Sequence, residues 1–109
     1  MEKLVKGDVV VIPFPFSDLS QAKKRPALVL ASFEKDVLLC MISGVEKKDR
    51  YSISLSPADF GEGSLNRQSW VRIHRLFTAE KTIILSKVGT LKEKKLKEVV
   101  DALVNVMRG

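Results

Sequence analysis

Residues 6–32 read KGDVVVIPFPFSDLSQAKKRPALVLAS, and their reading decides the fold. Within them, DVVVIPF (8–14) is an unbroken apolar run closed by Pro13 and Pro15, the pattern of a buried strand. RPALVLAS (25–32) is a second such run. The connection between them, 13–24, is long for a hairpin, and structureless loops near a dozen residues are often functional. It ends on Lys23, Lys24 and Arg25, directly before Pro26. Proline drives the preceding residue into an extended backbone and offers no amide to a ladder. Arg25 is therefore expected at a strand mouth with a fixed direction. Its guanidinium there can grip a phosphate through two parallel hydrogen bonds. The other readings are a surface ion pair for Arg25 and simple solubilisation of a loop end by Lys23 and Lys24.

Working outward, DVLLCMIS (36–43) is a third apolar run, and the short 33–35 segment suits a hairpin. Residues 50–55 alternate: Tyr51, Ile53 and Leu55 face one way, Ser52 and Ser54 the other. Residues 68–76 alternate too. Trp70, Arg72 and His74 are expected on one face, and Val71, Ile73 and Arg75 on the opposite one. Residues 56–60 read as one helical turn, with Ser56 as cap and Pro57 at the first position. Residues 61–66 read as a turn, and 82–89 as a further short strand ended by Gly89. Short strands at this spacing predict a small barrel or half-open sheet.

The C-terminus changes period. Thr90, Leu91, Lys92 and Glu93 have the form of a capping box. Leu96, Val99, Val100, Leu103, Val104 and Met107 then follow helical spacing. The spacing predicts an amphipathic helix of about four turns, with its apolar stripe on the barrel or on a second subunit and its lysines in solvent. The fold class expected is mainly β with a C-terminal helix, as one domain over 1–109.

Composition narrows the function. The chain has 109 residues, 45% of them hydrophobic, which allows a real core. Lysine and arginine number 19 against 13 acidic residues, a net charge of +6 that favours an acidic or polyanionic partner. Few aromatics argue against a multi-aromatic base-stacking platform. One cysteine, Cys40, and one histidine, His74, exclude disulfide frameworks and multi-His metal sites. No apolar run approaches the ~18 residues of a membrane span. The opening MEKLVKGDVVVIPF lacks the form of a secretory signal, so a cytoplasmic protein is expected.

Several further side chains can serve a phosphodiester substrate. Arg72, His74 and Trp70, on one strand face, would make a phosphate binder, a proton-transfer group and a flat wall. A lone histidine on an exposed strand is also simply surface. Ser43 ends a strand before Gly44, where a hydroxyl either bonds a phosphate oxygen or starts a turn. In the 13–24 loop, Phe14 and Phe16 read as partly buried anchors. Ser17, Asp18, Ser20 and Gln21 can read nucleobase edges or be ordinary loop polarity. The turn carrying Asn66 is a further candidate for substrate readout.

In order along the chain, KGDVVVIPFPFSD, KKRPALVLAS, LLCMISG and SWVRIHRLFTAEK resemble the MazF/PemK family, toxins of bacterial toxin–antitoxin pairs. The resemblance covers nearly the whole chain. It implies an SH3-like barrel with a C-terminal helix, usually a homodimer. It implies an endoribonuclease without metal or other cofactor, cutting single-stranded RNA at short sequences. The 2′-hydroxyl attacks its own phosphate, giving 2′,3′-cyclic phosphate and 5′-hydroxyl ends. It also implies a cognate acidic antitoxin whose tail can occupy the RNA grooves, any DNA contact being made only through that antitoxin.

By this resemblance Arg25 matches the catalytic arginine. Ser43 falls where many members have a catalytic threonine. Arg72 matches an arginine used for phosphate contact or proton transfer. His74 replaces an acidic base, and either takes over that role or only lines the groove. Lys23, Lys24, Phe16, Ser17, Asp18, Gln21, Trp70 and Asn66 are the expected RNA-binding residues. Two alternatives are a non-catalytic CcdB-type toxin acting by protein contact and a decayed member that only binds its antitoxin.

Overall fold

The computed structural model describes residues 3–14 and 23–109. Seven strands form one antiparallel sheet among the described residues: β1 (Asp8–Phe14), β2 (Lys23–Ser32), β3 (Asp36–Ser43), β4 (Ser52–Leu55), β5 (Phe60–Gly63), β6 (Ser69–Glu80) and β7 (Ser86–Leu91). Their order is β4-β6-β3-β2-β1-β7-β5, so the chain curls into an open half-barrel. Helix α1 (Glu93–Arg108) follows.

The apolar runs are continuous because the central strands are covered on both faces. On one face Val9, Leu28, Cys40, Ile42, Val71 and Ile73 form a core that α1 closes through Val99, with Leu96, Ala102, Leu103 and Val106 packed against it. On the other, Val10, Ile12, Ala27, Val29, Leu39 and Met41 pack with Leu4, Ala79 and Ile84. Full burial of Val99 alone contributes about 1.5–3 kcal/mol.

Two elements differ from the sequence expectation. Residues 60–63 are an edge strand rather than a turn, paired Phe60↔Leu91, Glu62↔Thr90 and Gly63↔Gly89. Two glycines allow this close approach. A Cβ on Gly63 would lie 2.1 Å from the Val88 carbonyl oxygen, and one on Gly89 would lie 2.7 Å from the Phe60 ring. Residues 81–83 form a 3-10 turn, so the strand expected at 82–89 is shifted to 86–91.

The helix start also moves. Thr90 and Leu91 are held in the β7 ladder, opposite Asp8 and Phe60. Lys92, with extended backbone, becomes the N-cap. The Thr90 hydroxyl does not cap the helix; it donates to Asp8 Oδ1 at 2.9 Å. Asp8 is fully buried, and its Oδ2 accepts the Val5 N–H at 2.9 Å while Lys87 Nζ lies 3.5 Å from Oδ1. The apolar stripe is rotated as well: Ala102 and Val106 pack on the core, and Met107 is 73% exposed. Nor are all the lysines solvated. Lys95 Nζ donates to the Ser54 carbonyl at 3.2 Å and lies 2.9 Å from Glu98.

Candidate functional site

Arg25 stands where β2 has one neighbour. Lys23 to Pro26 pair with β1, from Phe14 to Val11, while β3 joins only at Ala27↔Met41. The strand thus begins two residues before Arg25, and Pro26 sits in a half-edge where its missing amide is tolerated. The Arg25 side chain is exposed.

Across from it, β6 carries a wide bulge. Cys40 pairs with Leu76 and Ile42 with Val71, so Met41 alone lies opposite Arg72, Ile73, His74 and Arg75. Val71 and Ile73 keep to the core. Beyond them simple alternation fails, because the extra residues re-aim the side chains that follow. Arg75, expected opposite Arg72, lines the same groove as Arg72. His74, expected beside Arg72, is turned onto Tyr51, with ring centroids 4.8 Å apart and planes at 32°. It is exposed and does not line that groove.

The groove has a volume of about 380 Å³. Arg25, Ser43 and Arg72 line it, joined by Lys47 and Arg75, over an apolar floor that includes Phe14 and Ile42. Among the described residues, four cations and no carboxylate line it. A second hollow of about 270 Å³ adjoins it, with Arg25 and Ile42 common to both. Lys24, Asn66, Arg67 and Ser69 line this one. The guanidinium of Arg67 lies on Gly44, where an added Cβ would sit 1.9 Å from Nη2.

The groove's cations differ in how they are engaged. Arg72 Nη1 donates to Asp49 Oδ1 at 3.2 Å and Oδ2 at 3.1 Å, and also to the Ser52 hydroxyl. Its side chain is only 11% exposed. Partial desolvation pushes the Asp49 carboxyl up, but the Tyr51 N–H, Arg72 and Ser52 outweigh it and hold Asp49 below the usual range. By contrast, Arg25, Lys47 and Arg75 meet no carboxylate within ion-pair distance among the described residues. The Ser43 hydroxyl is engaged locally, accepting the Val45 N–H at 3.0 Å and donating to the Val45 carbonyl at 3.2 Å. Cys40 supplies no nucleophile. Its thiol donates to the Arg72 carbonyl at 2.9 Å, and burial pushes its pKa up to about 12.

The remaining candidates are dispersed. Trp70 is half-buried between Ser43 and Ser54 and lines neither hollow. Lys23 is exposed opposite Phe14, outside both. Phe16, Ser17, Asp18, Ser20 and Gln21 lie outside the described residues. Sequence reasoning missed Lys47, Arg67 and Arg75. The charged stretch 46–50 was the available signal for Lys47 and Asp49; nothing in the local pattern announces the bulge that turns Arg75.

A half-barrel with a basic groove at the mouth of its second strand is the class of molecule these observations define. The model of the PemK-like, MazF-like toxins of type II toxin–antitoxin systems matches residues 5–107, and the chain belongs to that family. Solved structures share its fold at low identity. An endoribonuclease from a mycobacterial species, in complex with its cognate antitoxin, superposes with a TM-score of 0.77 at 13% identity, over 96% of this chain and 95% of that one. The Mycobacterium tuberculosis toxin MazF-mt6 gives 0.73 at 17% identity, over 93% and 96%. MazF from Deinococcus radiodurans gives 0.74 at 18% identity, over all of both chains. A search of curated proteins gives no match. Among the described residues no helix is long and apolar enough to cross a membrane.

Proposed function

We propose that the chain is the toxin of a toxin–antitoxin pair and a sequence-specific endoribonuclease on single-stranded RNA. The observation that carries this reading is the groove at Arg25, lined among the described residues by four cations and no carboxylate. Such a surface binds a phosphodiester and stabilises extra negative charge on it. Endoribonucleases are among the proteins that share its fold.

In this reading the ribose 2′-hydroxyl attacks the adjacent phosphorus. The 2′-hydroxyl proton passes to water as the O–P bond to the 5′-oxygen breaks, and the departing 5′-oxygen takes a proton from water, leaving a 2′,3′-cyclic phosphate and a 5′-hydroxyl. Arg25 contacts the phosphate and neutralises the phosphorane as charge accumulates. The Ser43 hydroxyl exchanges its bond to the Val45 carbonyl for one to a phosphate oxygen. Proton transfer contributes about 10²–10⁴-fold in such reactions, and donors aimed at the developing charge about 10²–10³-fold. His74, held on Tyr51 outside the groove, serves the approach of the strand rather than proton abstraction. The hollow with Lys24 and Asn66 receives the neighbouring nucleotide. The reaction uses no metal. The protein works as a homodimer in the cytoplasm, and an acidic antitoxin segment competes for the same basic groove.

The test of the chemical route is an oligonucleotide carrying a 2′-deoxyribose at the cleaved nucleotide. It should remain intact while the all-ribose strand is cut. Cleavage of the deoxy-substituted strand would refute attack by the 2′-hydroxyl.

A further inference from the structure

We infer that Arg75, turned into the groove by the β6 bulge, is a substrate-positioning residue that grips an RNA phosphate beside Arg25. Arg72, the arginine which simple alternation nominates, instead braces the groove wall through Asp49. The inference rests on the reading of this groove as an RNA site.

Three observations support it. Arg72 and Arg75 line one groove, although three residues apart on a strand would place them on opposite faces. The placement follows from the register, in which Met41 alone faces residues 72–75. The Cys40 thiol bonds the Arg72 carbonyl and so fixes the backbone inside the bulge. Second, the two guanidiniums are not equally available. Arg72 is already neutralised by both oxygens of Asp49, and little of it reaches solvent. Arg75 is exposed and meets no carboxylate within ion-pair distance among the described residues. A phosphate approaching Arg72 would have to compete with a carboxylate already seated; one approaching Arg75 meets no such competitor among the described residues. Third, Asp49 also accepts the Tyr51 N–H at 3.0 Å. The Arg72–Asp49 pair thus fastens the 44–50 turn, which carries Lys47, to β4 and β6.

The experiment measures binding of a mixed-sequence, fully 2′-O-methylated single-stranded oligonucleotide, which has no free 2′-hydroxyl, as a function of salt. Each phosphate contact on a single strand contributes about 0.7 to the slope of log K against log salt. Arg75→Ala should lower affinity and reduce the slope by about that amount. Arg75→Lys should restore the slope, because it restores the charge. The double variant Asp49→Asn, Arg72→Gln should melt at a lower temperature than the wild type. A slope unchanged in Arg75→Ala overturns the assignment of Arg75 while leaving the RNA site standing, and a double variant that melts with the wild type overturns the bracing role of Arg72. A wild-type protein that does not bind the oligonucleotide at all overturns both.

Discussion

The Thr90 hydroxyl donates to the buried carboxylate of Asp8 at 2.9 Å, tying β7 to β1 immediately before the chain enters α1. Asp8 has a second anchor in the Val5 N–H and a third in Lys87, all within a fully buried position beside Gly7, whose φ is +99°. The Gly-Asp pair at the head of the first strand is therefore a joint between the N-terminal turn, the sheet and the helix entry.

Removing a partner of Asp8 leaves its fully buried carboxylate short of a hydrogen bond, and removing Asp8 takes the shared acceptor from the Val5 N–H, the Thr90 hydroxyl and Lys87. Asp8→Ala should cost about 3 kcal/mol of stability, and Thr90→Val about 1 kcal/mol. Urea denaturation would measure both. RNA cleavage at a temperature where the variants stay folded should persist, since neither residue lines the groove.

Asp49 gives a pH signature. Its carboxyl titrates lower in the folded chain than in the unfolded one, because the Tyr51 and Arg72 hydrogen bonds outweigh its desolvation. The unfolded chain therefore binds the proton first as pH falls. The stabilisation from Asp49 is fully present above the unfolded value of about 3.9 and is lost as pH drops through the lower folded value. The stability gap between wild type and Asp49→Asn should be constant from pH 8 to pH 5 and close in stronger acid. A gap that instead grows on acidification would contradict the Arg72–Asp49 pairing.

Cys40 should be inert in the native protein. With its thiol pushed up to about 12 and its side chain buried, iodoacetamide at pH 8 should label it only in denaturant. Mass spectrometry of the intact chain reads this directly. Rapid native labelling would mean that the β6 bulge opens.

His74 separates two accounts of proton transfer. Stacked on Tyr51 and outside the groove, it should tolerate replacement: His74→Ala is expected to change the cleavage rate by less than about 10-fold, below the usual contribution of a general base. The pH–rate profile should keep its shape. A loss of about 10²-fold or more with an altered profile would return His74 to the role of base.

Much of the architecture was legible in the sequence. The first three strands announce themselves as apolar runs, and the helix as a 3.6-residue period. Less legible were features set by partners distant in the chain. Residues 60–63 look like a turn until Gly89 arrives opposite Gly63 and makes room for the pairing. Thr90 has the form of a cap until Asp8 claims its hydroxyl. The helix stripe shifts toward Ala102 and Val106, which pack on the sheet beside Val99 and Leu103 while Met107 stays exposed. At the site, Arg25 is legible because proline fixes it from the next position. Arg75 is not, because its direction depends on one residue of β3 facing four of β6.

The most direct test of the central claim is cleavage of a long mixed-sequence RNA in excess EDTA, by the wild-type protein and by Arg25→Ala, with every cut end mapped. Discrete cuts bearing 5′-hydroxyl ends should appear with the wild type and fall at least 10²-fold in the variant, whose melting temperature should be unchanged because Arg25 is exposed. RNA left intact by the wild-type protein in large excess would contradict the account and leave a family member that acts by binding protein partners; RNA cut equally by Arg25→Ala would contradict the assignment of the chemistry to Arg25.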